Sequence, residues 1–257
     1  MATLPKIYSL RTFSLHDVAE ELQMSAPSAA VALNRWKDQG LVKTVRRNLH
    51  VVVEPTTGSP VADKFEIATK IAEDSYVGWH SALEYHGLAH QAFYNIYVGS
   101  GKRFSKFNFE GTDYEYCSSP VPPTEENGIV TPAGNPYVRV SDIERTVIDC
   151  IDRIERAGGL EELLHCLEGL TYLNEEKFLK YLAAYNKAFL YQKAGFILEN
   201  YPCGSGLGEE FFATCINKGA IHPKRLTNAN DSDFFVSRWK LYVPSSITPQ
   251  TSDHEFI

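Results

Sequence analysis

The sequence predicts an α+β fold: a small N-terminal module of helices and a hairpin, then a larger mixed α/β domain whose C-terminal half is helical. Three observations carry that expectation. Capping residues followed by apolar positions at a 3.6-residue period mark helices at both ends of the chain. Runs rich in aromatic and β-branched residues mark strands between 41 and 53 and between 93 and 140. Between these regions Pro55-Thr56-Thr57-Gly58-Ser59-Pro60 is turn-rich and poor in anchoring side chains, so the expected domains are 1–55 and 62–257.

The first helix begins where Ser14 caps it and Asp17, three positions on, faces the exposed backbone N–H groups. Leu15, Val18, Ala19 and Leu22 make its inner face, and His16, Asp17, Glu20 and Glu21 its outer one. Ser25, with Pro27 in the first turn, starts a second helix that ends at Gly40. Ala29, Leu33 and Trp36 fall on one side of it, leaving Ser28, Val31, Asn34 and Arg35 on or near the other. Two β-prone runs, 41–45 and 49–53, then flank Arg46-Arg47-Asn48 as a hairpin with a basic tip. Helix, turn, helix and wing in that order read as a winged helix-turn-helix, for which duplex DNA is the expected partner. On this reading Ser25, Ser28, Asn34 and Arg35 meet the major groove, with Arg35 best suited to a base edge. Arg46 and Arg47 meet phosphates or the minor groove. Helical pairs of this size also serve as protein-interaction modules.

Beyond the turn-rich segment, helices are expected over 64–74, from Ile67, Ala68, Ile71 and Ala72, and over 79–86, stopped by Gly87. Strands are expected at 93–98, 104–109, 114–116 and 137–140, interrupted by a Pro-rich loop at 120–128. Ser141-Asp142-Ile143-Glu144 reads as a second capping box, opening a helix striped by Ile143, Val147, Ile151 and Ile154 and halted at Gly158-Gly159. Helices follow near 160–168, 175–185 with Asn174 as its cap, and 188–199; 239–243 is an expected strand, and 244–257 a loose tail.

The 257-residue chain carries a formal charge of −7. Residues 1–54 hold seven Lys/Arg against five Asp/Glu, a balance of +2 that leaves −9 for the remainder. Phosphate contact should therefore concentrate at the N-terminal module, and its modest excess makes a homodimer on paired half-sites the expected route to tight binding. Cys117, Cys150, Cys166, Cys203 and Cys215 are odd in number and form no C-x-x-C pair, which favours buried thiols in a reducing cytoplasm. No apolar run is long enough to cross a bilayer, so no membrane partner is expected.

His80, Glu84, His86 and His90 lack the i,i+4 histidine pair of a zincin-like site, so no metal or other cofactor is expected, and ring-edge hydrogen bonding is the plainer role. Gly99-Ser100 followed by Asp113 and Glu115 resembles the nucleotidyltransferase pattern, in which the carboxylates hold Mg²⁺, but no helix follows the glycine-serine and no third carboxylate strand is evident. Lys102, Arg103 and Lys106 would instead form a local basic patch, a second DNA contact or a solvated strand edge. Gly204-Ser205-Gly206-Leu207-Gly208 lacks the Walker lysine and Asp231-Ser232-Asp233 reads as an Asx turn, so no catalytic residue and no enzymatic activity are expected.

The N-terminal module, together with GWHSALEYHGLAHQAFYNIYV (78–98), VSDIERTVIDCIDRIERAGGLEELLHCL (140–167), KAGFILE (193–199) and SRWKLYVP (237–244), resembles the AbiEi-type antitoxins of type IV toxin-antitoxin systems. The resemblance implies a repressor that binds inverted repeats upstream of its own operon. It also implies neutralisation of a nucleotidyltransferase-like toxin by a C-terminal antitoxin domain, without a stable complex. Ser28, Asn34, Arg35, Arg46 and Arg47 would then be the DNA contacts. Where the family's wing often runs Arg-Gly-Leu-Tyr, this chain has Arg47-Asn48-Leu49-His50, and asparagine tolerates the left-handed turn. The family includes stand-alone regulators, and the alternatives are a ligand-sensing repressor without a toxin and a nucleotidyltransferase-like enzyme using Gly99, Ser100, Asp113 and Glu115.

Overall fold

A computed structural model describes residues 4–201, 206–227 and 233–247. Among them lie ten α-helices and twelve short strands, an α+β architecture as expected. The chain forms two compact units. The first draws on the described residues of Met1–Val77, Tyr94–Ser118 and Thr131–Arg139, the second on those of Gly78–Phe93, Ser119–Val130 and Val140–Ile257.

The first unit opens with α1 (Leu4–Leu10) and β1 (Thr12–Phe13), followed by α2 (Leu15–Glu21), α3 (Ala26–Asp38), β2 (Val42–Arg46) and β3 (Leu49–Val52). The Ser14–Asp17 capping box starts α2, and Ser25 accepts from the Ser28 N–H to start α3. Gln23 takes the left-handed conformation in the turn between them (φ 50°), and Gly40 (φ 70°) follows α3. The strands form an antiparallel sheet in the order β1-β3-β2. Ile7, Phe13, Val18, Ala29, Leu33, Trp36, Val42 and Val52 share one buried cluster. Neither α1 nor β1 was anticipated, and a two-residue strand displays no period.

The expected boundary at 55–62 falls inside this unit. Residues 54–61 are not a linker: the Gly58 N–H donates to Glu54 O at 2.8 Å, that of Glu54 to Ser59 O at 2.9 Å, and that of Val61 to Val52 O at 2.9 Å. The chain thus returns to β3 and enters α4 (Lys64–Thr69), capped by Asp63. The buried Glu66 of α4 receives both Arg11 Nε (2.6 Å) and Arg11 Nη2 (2.8 Å), and Nη2 also donates to Val61 O. Such a fork cannot be reproduced by an ammonium group. Arg11→Ala is expected to cost about 2–3 kcal/mol by stranding the Glu66 carboxylate, with Arg11→Lys recovering less than half, both read from urea denaturation.

The same unit contains β4 (Tyr76–Val77), β5 (Asn95–Gly99), β6 (Phe107–Phe109) and β7 (Thr112–Cys117), in the order β6-β7-β5-β4. The β5–β7 pair is parallel and the other two pairings are antiparallel. Gly99 is required where it stands, because a Cβ there would lie 2.2 Å from the ring of Tyr76.

The second unit begins with α5 (Trp79–Tyr85) and includes the antiparallel pair β8 (Ile129–Val130) and β9 (Val140–Ser141). Then come α6 (Ile143–Asp152), α7 (Leu160–Glu168), α8 (Glu175–Tyr185), α9 (Ala188–Asn200) and α10 (Glu209–Lys218), followed by β10 (Lys224–Arg225), β11 (Asp233–Val236) and β12 (Leu241–Pro244). The expected helical half is present at nearly the expected bounds, with Asn174 capping α8. The cap of α6, however, is Asp142, whose carboxylate accepts from the Arg145 N–H, while Ser141 Oγ pairs with Thr146 Oγ1 at 2.7 Å. In α9, Gly195 lets Trp239 lie flush, since a Cβ would come within 2.1 Å of its ring.

Candidate nucleic-acid interface

Burial along α3 separates its two faces. Ala29, Leu33 and Trp36 are buried, whereas Ser25, Ser28, Asn34 and Arg35 are exposed and Val31 retains 71% of its surface. A 13-residue helix held from behind by tryptophan and leucine leaves its outer ridge rigid and available. Ser25 does double duty there: its Oγ caps the helix and lies 2.9 Å from Ser28 Oγ. Arg35 and Asn34 sit side by side in the third turn, presenting a guanidinium fork and an amide to whatever the helix faces.

The hairpin is less symmetric than its sequence suggests. Arg47 and Asn48 form the tip, and both are exposed. Asn48 is left-handed (φ 59°), and its Oδ1 accepts from the Leu15 N–H at 3.2 Å, which ties the tip to the first turn of α2. A glycine could supply the conformation but not that tie. Arg46, expected at the tip with Arg47, is half-buried: its guanidinium lies over the rings of Phe104 (5.4 Å) and Phe107 (5.1 Å), with Nη1 buried. The register of β2 shifts between Thr44 and Arg46, and a bulge of that kind re-aims the side chain next to it. Lys43 is also engaged, with Glu110 at 2.7 Å.

Within the hairpin, on β3, His50 is buried with Nδ1 3.2 Å from Thr44 Oγ1. Burial, then the positive charge of Lys37, pulls its imidazole down to about 4. A depressed pKa in the folded state means that the unfolded chain binds the proton more readily, so stability is whole above pH ~6.5 and is lost as pH falls toward 4. Thermal unfolding from pH 7 to 4 is expected to show a loss of about 2–3 kcal/mol that His50→Gln removes.

The remaining candidates are dispersed. Of the expected basic patch, Lys102 and Arg103 are exposed, but Lys106 is paired with Asp113 at 2.9 Å. Hydrogen bonds from Asn108 and Lys106 hold the Asp113 carboxyl below its ordinary range. Ser100 Oγ donates to Asp74 Oδ1 (2.6 Å) and the Gly101 N–H to Asp74 Oδ2 (2.7 Å), so a carboxylate occupies the donors that a triphosphate would need. Burial pushes Asp74 up, but those two bonds prevail and its carboxyl lies below the ordinary value. Asp113 pairs with Asn95 at the far end of β5 from Gly99, about 13 Å away at ~3.3 Å per residue. The glycine-serine turn and that carboxylate are not brought together.

Cys117, Cys150, Cys166 and Cys215 are buried, and burial pushes the thiols of Cys166 and Cys215 up to about 12. Cys203, residues 204–205 of the glycine-rich segment, Asp231, Ser232 and 248–257 of the tail lie outside the described residues. Gly208 precedes α10, its N–H donating to Glu175 Oε2. Among the described residues no helix is long and apolar enough to cross a membrane. The second unit holds a cavity of about 830 Å³, lined in part by Leu160, Leu164, Phe189, Lys193, Tyr201 and Arg225, a feature sequence reasoning did not locate. Burial draws the Lys193 ammonium down to about 8 while its Nζ donates to Asp152 O at 2.7 Å. Tyr201 Oη is buried without a hydrogen-bond partner among the described residues.

No protein-family model matches the chain, and no curated protein sequence matches it. Among solved structures it is similar to the RV2827C protein from Mycobacterium tuberculosis, with a TM-score of 0.65 and 12% identity, over 95% of this chain and 92% of that one. At that identity the likeness is one of fold, and it runs over nearly the whole of both chains.

Proposed function

We propose that residues 13–54 are a winged helix-turn-helix that binds duplex DNA, and that the protein is a transcriptional regulator. One observation carries the proposal: α3 exposes Ser25, Ser28, Val31, Asn34 and Arg35 as a continuous ridge while its opposite face is locked in the core. An exposed helix of these side chains suits a major groove: a fork for guanine, an amide for adenine, and an apolar contact for a thymine methyl. Arg47 at the exposed tip suits a neighbouring phosphate or minor groove. With few free cations on this face, two copies on an inverted repeat bind more tightly than one. Selection from random duplexes at low ionic strength, followed by mobility-shift titration of the enriched site, tests the reading; failure to enrich any site defeats it. By its family resemblance the regulator acts on its own operon and serves as the antitoxin to a nucleotidyltransferase-like toxin. Rescue of growth on co-expression with the protein encoded beside it tests that part separately.

The cavity supports a second reading, a repressor that senses a small molecule. Apolar Leu160, Leu164 and Phe189 with the polar ends of Lys193 and Tyr201 suit an amphipathic ligand. A thermal-shift screen of such compounds, in which Lys193→Ala and Tyr201→Phe cancel any shift found, checks it.

A further inference from the structure

Glu162, His165 and Cys166 lie at positions i, i+3 and i+4 of α7 and so share one of its faces. Onto that face α5 directs His80, whose Nε2 is 3.1 Å from Glu162 Oε1, and Cys166 Sγ lies 3.3 Å from the same oxygen. The side chains of His80 and Glu162 are each 1% exposed, and Cys166 is fully buried. One donor atom from each of the three falls within 4.8 Å of the others. Above them His90 is 62% exposed, stacked on His165 at 4.9 Å, with Nδ1 3.8 Å from Glu162 Oε2.

A carboxylate that merely anchors a loop explains half of this. Glu162 Oε1 accepts the backbone N–H groups of His90 (3.1 Å) and Gln91 (2.9 Å). That role leaves Glu162 Oε2 buried with no hydrogen-bond partner, an expensive arrangement for a charged group. Nor does it account for a thiol and two imidazoles meeting on one carboxylate. A four-coordinate ion with bonds of about 2.0–2.3 Å sets its ligand atoms roughly 3.3–3.8 Å apart. His80 Nε2 and Cys166 Sγ, 3.1 and 3.3 Å from Glu162 Oε1, fall on or near that range.

We propose that His80, Glu162 and Cys166 form a site for a borderline transition-metal cation of the Zn²⁺ class, with the exposed His90, outside that cluster as it stands, turning in from the surface to close the fourth position. Thiolate and imidazole select such an ion over Mg²⁺ or Ca²⁺, which take oxygen ligands. On binding, the metal–sulfur bond replaces the Cys166 S–H bond and the proton leaves to solvent. The ion then clamps α5, the loop at 88–91 and α7 together. Spacing within 80–90 could not reveal the site, because two of its ligands come from α7.

The test uses the full chain stripped by a chelator and titrated with Co²⁺, then Zn²⁺. The expected result is one Co²⁺ per chain with a thiolate-to-cobalt charge-transfer band, displaced by Zn²⁺, and a rise in Tm of about 5 °C with saturating Zn²⁺. Cys166→Ser loses the band, and His90→Ala, at an exposed position that leaves the core intact, weakens Zn²⁺ binding about tenfold or more. Absence of the band in the wild-type chain under excess Co²⁺, its persistence in Cys166→Ser, or an unchanged Zn²⁺ affinity in His90→Ala overturns the proposal. Should circular dichroism show Cys166→Ser unfolded, the wild-type spectrum and His90→Ala decide.

Discussion

Arg145→Leu is expected to destabilise the second unit by about 3–5 kcal/mol, the cost of removing one partner from a buried ion pair. Arg145 is fully buried on α6. Its Nε donates to Asp149 Oδ2 (3.2 Å), Nη1 to Asn127 O (2.7 Å) and Nη2 to Ser119 Oγ (2.7 Å), and its guanidinium lies 5.2 Å from the Tyr185 ring centroid. Leucine fills much of the volume and satisfies none of these acceptors. Burial already pushes the Asp149 carboxyl above its ordinary value with Arg145 beside it, and Tyr185 Oη donates to the same group. Without the guanidinium that carboxyl rises further. A raised folded-state pKa contributes stability that is present at low pH and lost as pH rises, so the deficit of the variant should be smaller near pH 4 than at pH 7. Adding Asp149→Asn should recover part of the loss at pH 7 and little at pH 4. A deficit independent of pH would show that lost packing, not the stranded carboxylate, dominates. Urea denaturation at the two pH values distinguishes these outcomes.

Arg35→Ala should lower affinity for the selected site by about 10- to 100-fold, the 1–3 kcal/mol of one bidentate base contact, while leaving affinity for random duplex nearly unchanged. Arg47→Ala should weaken both kinds of duplex alike and lower the salt slope by about one, as expected for a phosphate contact. Arg46→Ala separates the hairpin's two arginines. Its guanidinium is committed to Phe104 and Phe107, so the variant should lose stability and leave the salt slope alone. Equal losses on specific and random duplexes for Arg35→Ala would remove it from base recognition. A salt slope that falls in Arg46→Ala would return that residue to the interface.

The two faces of α3 were legible because their cause is local. Ser25 caps, Pro27 fits the first turn, and Ala29, Leu33 and Trp36 recur on one side at helical spacing. The same holds for α7, α8 and α9, whose bounds the chain marks with glycine, asparagine and apolar stripes. Elements of two residues, such as β1, β4 and β10, carry no period and exist only because a longer strand is there to pair with them. The boundary at 55–62 was misplaced for a related reason. Pro, Thr, Gly and Ser mark a change of direction, but that the chain doubles back shows only in its contacts, the Val61 N–H on Val52 O and Arg11 on Glu66.

What the sequence determined by itself is therefore most of the helices, the caps of α2, α3 and α8, the hairpin turn and the exposed ridge of α3, all set by interactions within a few residues. Tertiary structure alone decided which cations stay free and which ligands meet. It laid Arg46 on aromatic rings from distant strands, neutralised Lys106 with Asp113, and gathered His80, Glu162 and Cys166 from two helices. The physical reason is that charge pairing, stacking and ligand geometry act across space, between groups whose separation along the chain says nothing of their distance in the fold.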